Sequence, residues 1–140
     1  MSSAWTTKAG VLARVAVTLL FGYAGWVKVL DPGEFARAIA GYQLLPEGWG
    51  PWLAYGLPWL EIWCAAALWI TPPFRRASWA LITCMMFVFT LAKASVMVRG
   101  LEVACGCTAS AEPMRWLDVW ANVLWTLVAA FGVVFDRRKG

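Results

Sequence analysis

Two cysteines separated by one glycine, Cys105 and Cys107, are the residues best suited to chemistry in this chain. They lie in RGLEVACGCTAS, residues 99–110, which is one of the few polar segments of the sequence. The thiolate is the nucleophile of disulfide exchange, and a bend at Gly106 would bring the two Cα atoms within the roughly 4.4–6.8 Å that a disulfide spans. So small a ring would be strained and easily reduced, which suits a reversible redox pair.

Two other interpretations of Cys105 and Cys107 stay open. A soft ion such as Cu(I) suits thiolate and thioether ligands, and Met97 and Met114 are near in the sequence. Metal binding is the less favoured case, because neither histidine nor a second close cysteine pair completes a site, and we expect no metal. The thiols could instead be structural or inert. No cofactor is evident, and a quinone is left open as an electron acceptor, although no motif indicates one.

The absence of histidine from all 140 residues limits the remaining chemistry. It removes the commonest general base and the usual haem ligand, so Ser-His-Asp and Cys-His nucleophile systems are excluded. Reactions must therefore depend on thiols, carboxylates, amines or a bound partner. The net charge of +4 is small, and its distribution shows no patch that would bind nucleic acid.

Cys64 and Cys84 lie in apolar sequence on either side of the short loop at residues 72–76. Each is seven residues from the end of its predicted helix next to this loop. At about 1.5 Å per residue both would lie about 10 Å from the same membrane face, on consecutive antiparallel helices. We therefore consider a second cysteine pair, with the alternative that each thiol is an ordinary small apolar side chain in the core.

Glu61 is an unusual residue because it lies near the middle of an apolar run, in PWLEIW. An ionisable side chain at that depth is costly and marks a candidate functional position. Its candidate partners are the other intramembrane polar residues, Lys28, Lys93 and Asn122. A chemical role and a role restricted to helix packing are equally open, because structural networks also bury charge.

The composition predicts that these residues are positioned by membrane helices. The chain is 61% hydrophobic and 14% charged, whereas soluble domains carry roughly 25% charged residues. Four apolar runs are long enough to cross a bilayer as helices of about 20 residues: 11–30, 51–71, 77–98 and 116–135. We expect an all-α membrane protein, a four-helix transmembrane bundle in one domain over residues 1–140. The first run is interpreted as a retained signal anchor rather than a cleaved signal peptide.

A short amphipathic helix is predicted after the first span, in DPGEFARAIAGYQLLPEGWG. Asp31 is a suitable N-cap, Pro32 suits the first turn, and Glu34 follows three residues after the cap. Phe35, with Ile39 and Tyr42 at helical spacing, would form one apolar face. We expect this helix to lie at the membrane surface, with an irregular loop as the alternative.

The distribution of lysine and arginine predicts the orientation. With four spans, the two termini and the loop at residues 72–76 share one side, which carries Lys8, Arg14, Arg75, Arg76, Arg137, Arg138 and Lys139. The positive-inside rule makes this side cytoplasmic. We therefore expect an integral protein of the bacterial inner membrane with the Cys-Gly-Cys loop outside the cytoplasm, where disulfides persist.

The chain resembles the methylamine utilisation protein MauE family, a branch of the DoxX-like membrane proteins. The resemblance rests on YAGWVKVLDPGEFARAIAGYQLLP (23–46), LPWLEIW (57–63) and RGLEVACGC (99–107), and covers most of the chain. It implies that Cys105 and Cys107 are a redox pair. The sequence departs from the family after the second cysteine, since it reads CGCTAS where relatives often have CGCFG.

The resemblance also implies a function and partners. Lys28 and Glu61 would be signature polar positions of the family. The protein would support disulfide formation and maturation of an extracytoplasmic client, the small subunit of methylamine dehydrogenase, together with a thioredoxin-like partner similar to MauD. It would then be a thiol–disulfide oxidoreductase. The alternatives are a non-catalytic assembly or scaffold subunit of a membrane complex, and a subunit of a DoxX-type quinol oxidoreductase.

Overall fold

A computed structural model describes residues 2–103 and 112–138 of the chain. This part folds into five helices: α1 (Ser2–Leu30), α2 (Pro32–Gly41), α3 (Trp49–Ala67), α4 (Pro72–Arg99) and α5 (Trp116–Arg138). The predicted all-α class is therefore confirmed for the described residues. Helices α1, α3, α4 and α5 are the long elements, and the short α2 connects the end of α1 to the beginning of α3.

Three of these helices are long and apolar enough to cross a membrane, namely Thr7–Leu30, Pro72–Arg99 and Trp116–Asp136. Leucines on α1 and α5, such as Leu12, Leu117 and Leu124, are more than half exposed. Exposed leucine along long helices is expected where the surrounding solvent is hydrocarbon. The chain is therefore a membrane protein, and three of the four predicted spans have a matching helix.

The predicted fourth span, residues 51–71, corresponds to α3, which does not match the length and apolarity of the other three. Helix α3 ends at Ala67, and its sequence includes four tryptophans together with glycine, proline and tyrosine. Hydropathy scales score these residues as nearly neutral, although tryptophan is well suited to membrane interfaces. The four-span bundle therefore stays a prediction, while the helix itself is present.

Helix α2 forms where the capping residues predicted it. The Asp31 carboxylate accepts a hydrogen bond from the backbone N–H of Glu34 at 2.9 Å, and Pro32 occupies the first turn. Ala38 is buried, and Phe35 and Ile39 are half-buried against the rest of the protein. Its location at a membrane surface stays a prediction.

The core lies between two helix pairs, because α1 packs against α3 and α4 packs against α5. Glycines permit the closest approaches, as is common between membrane helices. A methyl group on Gly25 of α1 would lie 2.8 Å from Ile62 Cγ1 and 2.9 Å from the Pro58 carbonyl oxygen of α3. A methyl group on Gly132 of α5 would lie 2.5 Å from the Trp79 ring of α4.

Replacing Gly25 should weaken the α1–α3 contact. A Gly25→Ala methyl group would press on the α3 backbone, which cannot move aside without separating the helices, and such overpacking costs about 1–3 kcal/mol. Gly22→Ala is the matched control, since nothing lies within 4 Å of its added methyl group. We expect a lower midpoint of heat-induced unfolding in detergent for Gly25→Ala only. Equal midpoints for the two variants would contradict the close packing.

Candidate functional site

A buried ion pair joins the last turn of α1 to the middle of α3. Lys28 Nζ lies 2.6 Å from Glu61 Oε1 and donates a second hydrogen bond, at 2.9 Å, to Oε2. The two side chains are only 5% and 2% exposed. Two charges this deeply buried require each other, because either one alone would remain desolvated without a counter-charge. Of the three predicted partners of Glu61, the structure places Lys28 against it.

Aromatic rings surround the ammonium group of Lys28. The Nζ atom lies 4.9 Å from the ring centroid of Phe35 on α2 and 5.5 Å from that of Phe89 on α4. Aromatic faces carry partial negative charge and attract cations at such distances. Lys28 therefore links α1 to α2, α3 and α4 through one charged group.

A second polar network joins α4 to α5. Lys93 Nζ donates a hydrogen bond to Asn122 Oδ1 at 3.0 Å, and both side chains are buried. Asn122 Nδ2 lies 3.2 Å from the Met86 carbonyl oxygen and 3.1 Å from Thr90 Oγ1. The Thr126 hydroxyl donates to the Asn122 carbonyl at 2.8 Å. Lys93 and Asn122, which were both predicted as candidate partners of Glu61, are thus hydrogen-bonded to each other.

A cavity of about 280 Å³ adjoins both lysines. Lys28 and Lys93 are the charged residues of its wall, and the remaining lining side chains are apolar or aromatic. These come from α2, from the residues that follow it, from the first half of α3 and from α4. This cavity is not predictable from the sequence, because it forms only where α2 folds back beside α3 and α4.

Cys105 and Cys107 lie outside the described residues, so their pairing and the Cu(I) alternative stay predictions. The chain on either side of them is described. The backbone N–H of Met114 donates to the Val103 carbonyl at 3.0 Å, so the two flanks of the loop meet. A methyl group on Gly41 would lie 2.9 Å from Val103 Cγ1, so Val103 packs closely on the end of α2. The segment leading to the cysteines is therefore attached to the helix that lines the cavity.

Cys64 and Cys84 have different surroundings. Cys64 is buried in the core three residues before the end of α3, and Cys84 is exposed twelve residues after the start of α4. Both are free thiols. The equal depth predicted for them depended on a third span that begins at residue 77, whereas α4 begins at Pro72. The structure forms no bond between them, and their pairing stays a prediction.

The structure also contains a polar cluster at the opposite end of the bundle, which sequence reasoning missed. Arg75 Nε lies 2.7 Å from Asp136 Oδ2, and Asp136 is buried. The Trp69 indole N–H donates to the Thr18 hydroxyl at 2.9 Å, and the Arg14 guanidinium lies 5.3 Å from the Trp69 ring centroid. Arg14 and Arg75 served only the prediction of orientation, although Asp136, an acidic residue directly after the last predicted span, could have been matched with an arginine.

Comparisons with a family model and with individual proteins agree on one family. The family model of the methylamine utilisation protein MauE matches residues 6–135. The methylamine utilization protein MauE of Methylophilus methylotrophus is 33% identical over 121 residues, which cover 86% of this chain and 63% of that protein. The protein of the same name from Methylorubrum extorquens is 30% identical over 125 residues, which cover 87% and 66%. The chain thus spans less than two thirds of the length of these curated relatives. No solved structure matches it.

Removing one member of the Lys28–Glu61 pair should destabilise the protein more than removing both. Lys28→Met and Glu61→Leu would each leave a buried charge without its partner, at a cost of about 3–5 kcal/mol. The double variant removes both charges, so we expect its unfolding midpoint in detergent to lie close to that of the wild type.

The control for this cycle is Arg37→Ala. Arg37 pairs with Glu34 at 2.6 Å, but both side chains are exposed, and exposed pairs contribute little. This variant should leave the midpoint nearly unchanged. Additive losses in the Lys28→Met/Glu61→Leu variant would show that the buried charges are not coupled.

Proposed function

The chain belongs to the family of the methylamine utilisation protein MauE, and from this membership we propose that it is an accessory membrane protein of methylamine utilisation. Its finer role in this proposal is thiol redox chemistry. It supports disulfide formation in an extracytoplasmic client of the methylamine dehydrogenase small-subunit type, and it works with a thioredoxin-like partner. Cys105 and Cys107 are the redox pair.

The attachment of the cysteine segment to the bundle carries this proposal. Val103 packs on Gly41, and its carbonyl accepts the Met114 N–H. The Arg99 guanidinium donates to the Tyr42 carbonyl, which adds a second link between the end of α2 and the residues before the cysteines. Cys105 follows Val103 by two residues in the sequence, and two residues of chain span no more than about 7 Å. On this proposal, the thiol pair acts at the α2 end of the protein, next to the attached Val103, and the partner docks there.

The exchange reaction needs no group beyond the two proteins. In the oxidised protein, a thiolate of the partner attacks one sulfur of the Cys105–Cys107 disulfide, which forms a mixed disulfide and releases the other cysteine as a thiolate. The second thiol of the partner then attacks its own sulfur in the mixed disulfide. The partner leaves as a disulfide, and Cys105 and Cys107 keep its two electrons and two protons as thiols.

The orientation proposed for this chemistry has the α2 end outside the cytoplasm. The described lysines and arginines at the opposite end include Lys8, Arg14, Arg75 and Arg76. The Arg75–Asp136 contact brings the start of α4 and the end of α5 together at that end. Basic residues are retained on the cytoplasmic side of the inner membrane, which supports cytoplasmic termini and an extracytoplasmic Cys-Gly-Cys loop.

Labelling of Cys105 and Cys107 should test this orientation. In a Cys64→Ala/Cys84→Ala background, a membrane-impermeant maleimide applied to intact spheroplasts after mild reduction should label the loop cysteines. A control variant with all four cysteines replaced and Lys139→Cys at the C-terminus should be labelled only after the membrane is disrupted. The reverse pattern would overturn the orientation.

Trapping the mixed disulfide tests the reaction. With Cys107→Ser, Cys105 is a lone thiol that can still attack the disulfide of an oxidised thioredoxin-like partner, which is the reverse of the exchange above, but it can no longer close a disulfide within the chain. A covalent adduct with the partner should therefore accumulate and disappear on reduction. Cys84→Ser is the matched control, because it removes an exposed thiol of α4, and it should give no adduct. Cys105→Ser/Cys107→Ser should lose most client disulfide formation and growth on methylamine.

A scaffold subunit is the second candidate, and the buried polar pairs favour it. Lys28–Glu61 and Lys93–Asn122 would stabilise helix packing whether or not the thiols react. On this alternative, Cys105→Ser/Cys107→Ser matures the client normally, whereas Lys28→Met does not. That outcome would reject the thiol-redox role and retain the accessory membrane role.

A further inference from the structure

We propose that the cavity beside Lys28 and Lys93 binds the ring of a membrane quinone. The site consists entirely of described residues. The further statement that this quinone accepts the electrons of Cys105 and Cys107 rests on the proposed function, whereas the binding site stands without it.

The walls of the cavity indicate a ligand that arrives from the bilayer. Leu44, Leu45 and Val88 line the cavity and are also about half exposed, so it opens on the outer surface of the helices. Val88 belongs to α4, a helix long and apolar enough to span the membrane. The volume of about 280 Å³ lies just below the roughly 300–1,000 Å³ of small-molecule sites, which suits a ring whose hydrocarbon tail stays in the lipid.

The polar groups of the wall suit the oxygen atoms of a quinone. Lysine is a hydrogen-bond donor without acceptors, and both charged residues of the wall are lysines. Phe35 and Phe89 also line the cavity, and their rings flank the ammonium of Lys28. Planar rings pack favourably on such aromatic side chains. The cavity therefore combines flat apolar walls with donors for a carbonyl oxygen.

The charge balance favours a neutral acceptor over a phosphate or carboxylate head group. Glu61 already neutralises Lys28 at 2.6 Å, so the three buried charges of this region, with Lys93, sum to +1 when ionised. An ionic head group would lose its hydration in an apolar cavity for little counter-charge, and that loss is costly. A quinone carbonyl has a much smaller desolvation cost. The remaining positive charge would also stabilise the anion that forms during quinone reduction.

The redox step balances with the quinone as oxidant. The thiolate of Cys105 or Cys107 adds to a ring carbon and forms a C–S bond. The other cysteine attacks that sulfur, the S–S bond forms, and the C–S bond breaks with its electron pair on the ring. The ring gains two electrons from the thiols and their two protons, so the products are the protein disulfide and a quinol.

Direct binding tests the site. The full chain in detergent is titrated calorimetrically with a benzoquinone carrying one isoprenoid unit, and we expect saturable binding of one molecule per chain. Ala92→Phe should fill the cavity and abolish binding, and Lys93→Met should weaken it by about ten-fold or more, as expected for a lost bond to a charged donor. Lys93→Arg should recover much of the affinity. Leu124→Phe, on the exposed face of α5, is the matched control.

Three outcomes would overturn the quinone site. The first is absence of saturation by the wild-type chain, and the second is unchanged affinity in Ala92→Phe while gel filtration shows that the variant is folded. The third is displacement of the quinone by vesicles of phosphatidylglycerol but not of phosphatidylcholine, which would assign the cavity to an anionic lipid head group instead.

The proposed electron transfer from the cysteines to the quinone is tested by a separate measurement. Reduced wild-type protein should convert the bound quinone to quinol, followed by its ultraviolet absorbance, whereas Cys105→Ser/Cys107→Ser should bind the quinone with unchanged affinity and not reduce it. If the wild-type protein bound the quinone without reducing it, the proposal that Cys105 and Cys107 pass their electrons to the quinone would be rejected. The binding site itself would still be supported. Loss of binding would reject the site and leave the mixed-disulfide experiment as the independent test of the proposed function.

Discussion

The buried ion pair between Lys28 and Glu61 is the interaction on which the arrangement of the α2 end depends. It fixes the last turn of α1 against the middle of α3, and the same ammonium group lies near one ring from α2 and one from α4. In a membrane protein, helices gain little from excluding lipid, so packing and polar contacts decide which faces meet. A charge pair that cannot be separated without exposing an ion to hydrocarbon therefore defines one arrangement of four helices.

This pair also explains why a cavity remains beside it. Helix α3 extends well past the end of α1, because Lys28 is two residues from Leu30 whereas Glu61 is twelve residues from Trp49. The short α2 covers the part of α3 that α1 does not reach, and a ten-residue helix leaves space between itself and α4. The cavity thus forms because α1 and α3 end at different heights. Its two lysines come from the last turn of α1 and from α4.

The sequence predicted the helices, and it gave Lys93 and Asn122 as candidate partners of Glu61, whereas the hydrogen bond that the structure shows joins Lys93 to Asn122. Lys93 and Asn122 are each six residues from the connection between α4 and α5, so they lie at one depth, and both require a polar partner. A depth argument of this kind underlies the predicted pair of Cys64 and Cys84, but a thiol is tolerated in apolar surroundings, so nothing forces it to face another helix. Two side chains at the same depth meet only if the rotation of each helix about its axis also turns them toward each other.

Helix α2 is the element through which the buried site and the cysteine loop are connected. One of its faces contributes Phe35 beside Lys28, and its last residue, Gly41, is packed closely by Val103. Capping by Asp31 fixes where this helix begins, directly after α1, and its polar Glu34 and Arg37 remain exposed. A displacement of α2 would therefore alter the surroundings of the Lys28 ammonium and the attachment of the loop together. Because these two regions share one short helix, the proposed thiol chemistry and the proposed quinone binding would be linked through contacts that the structure already contains.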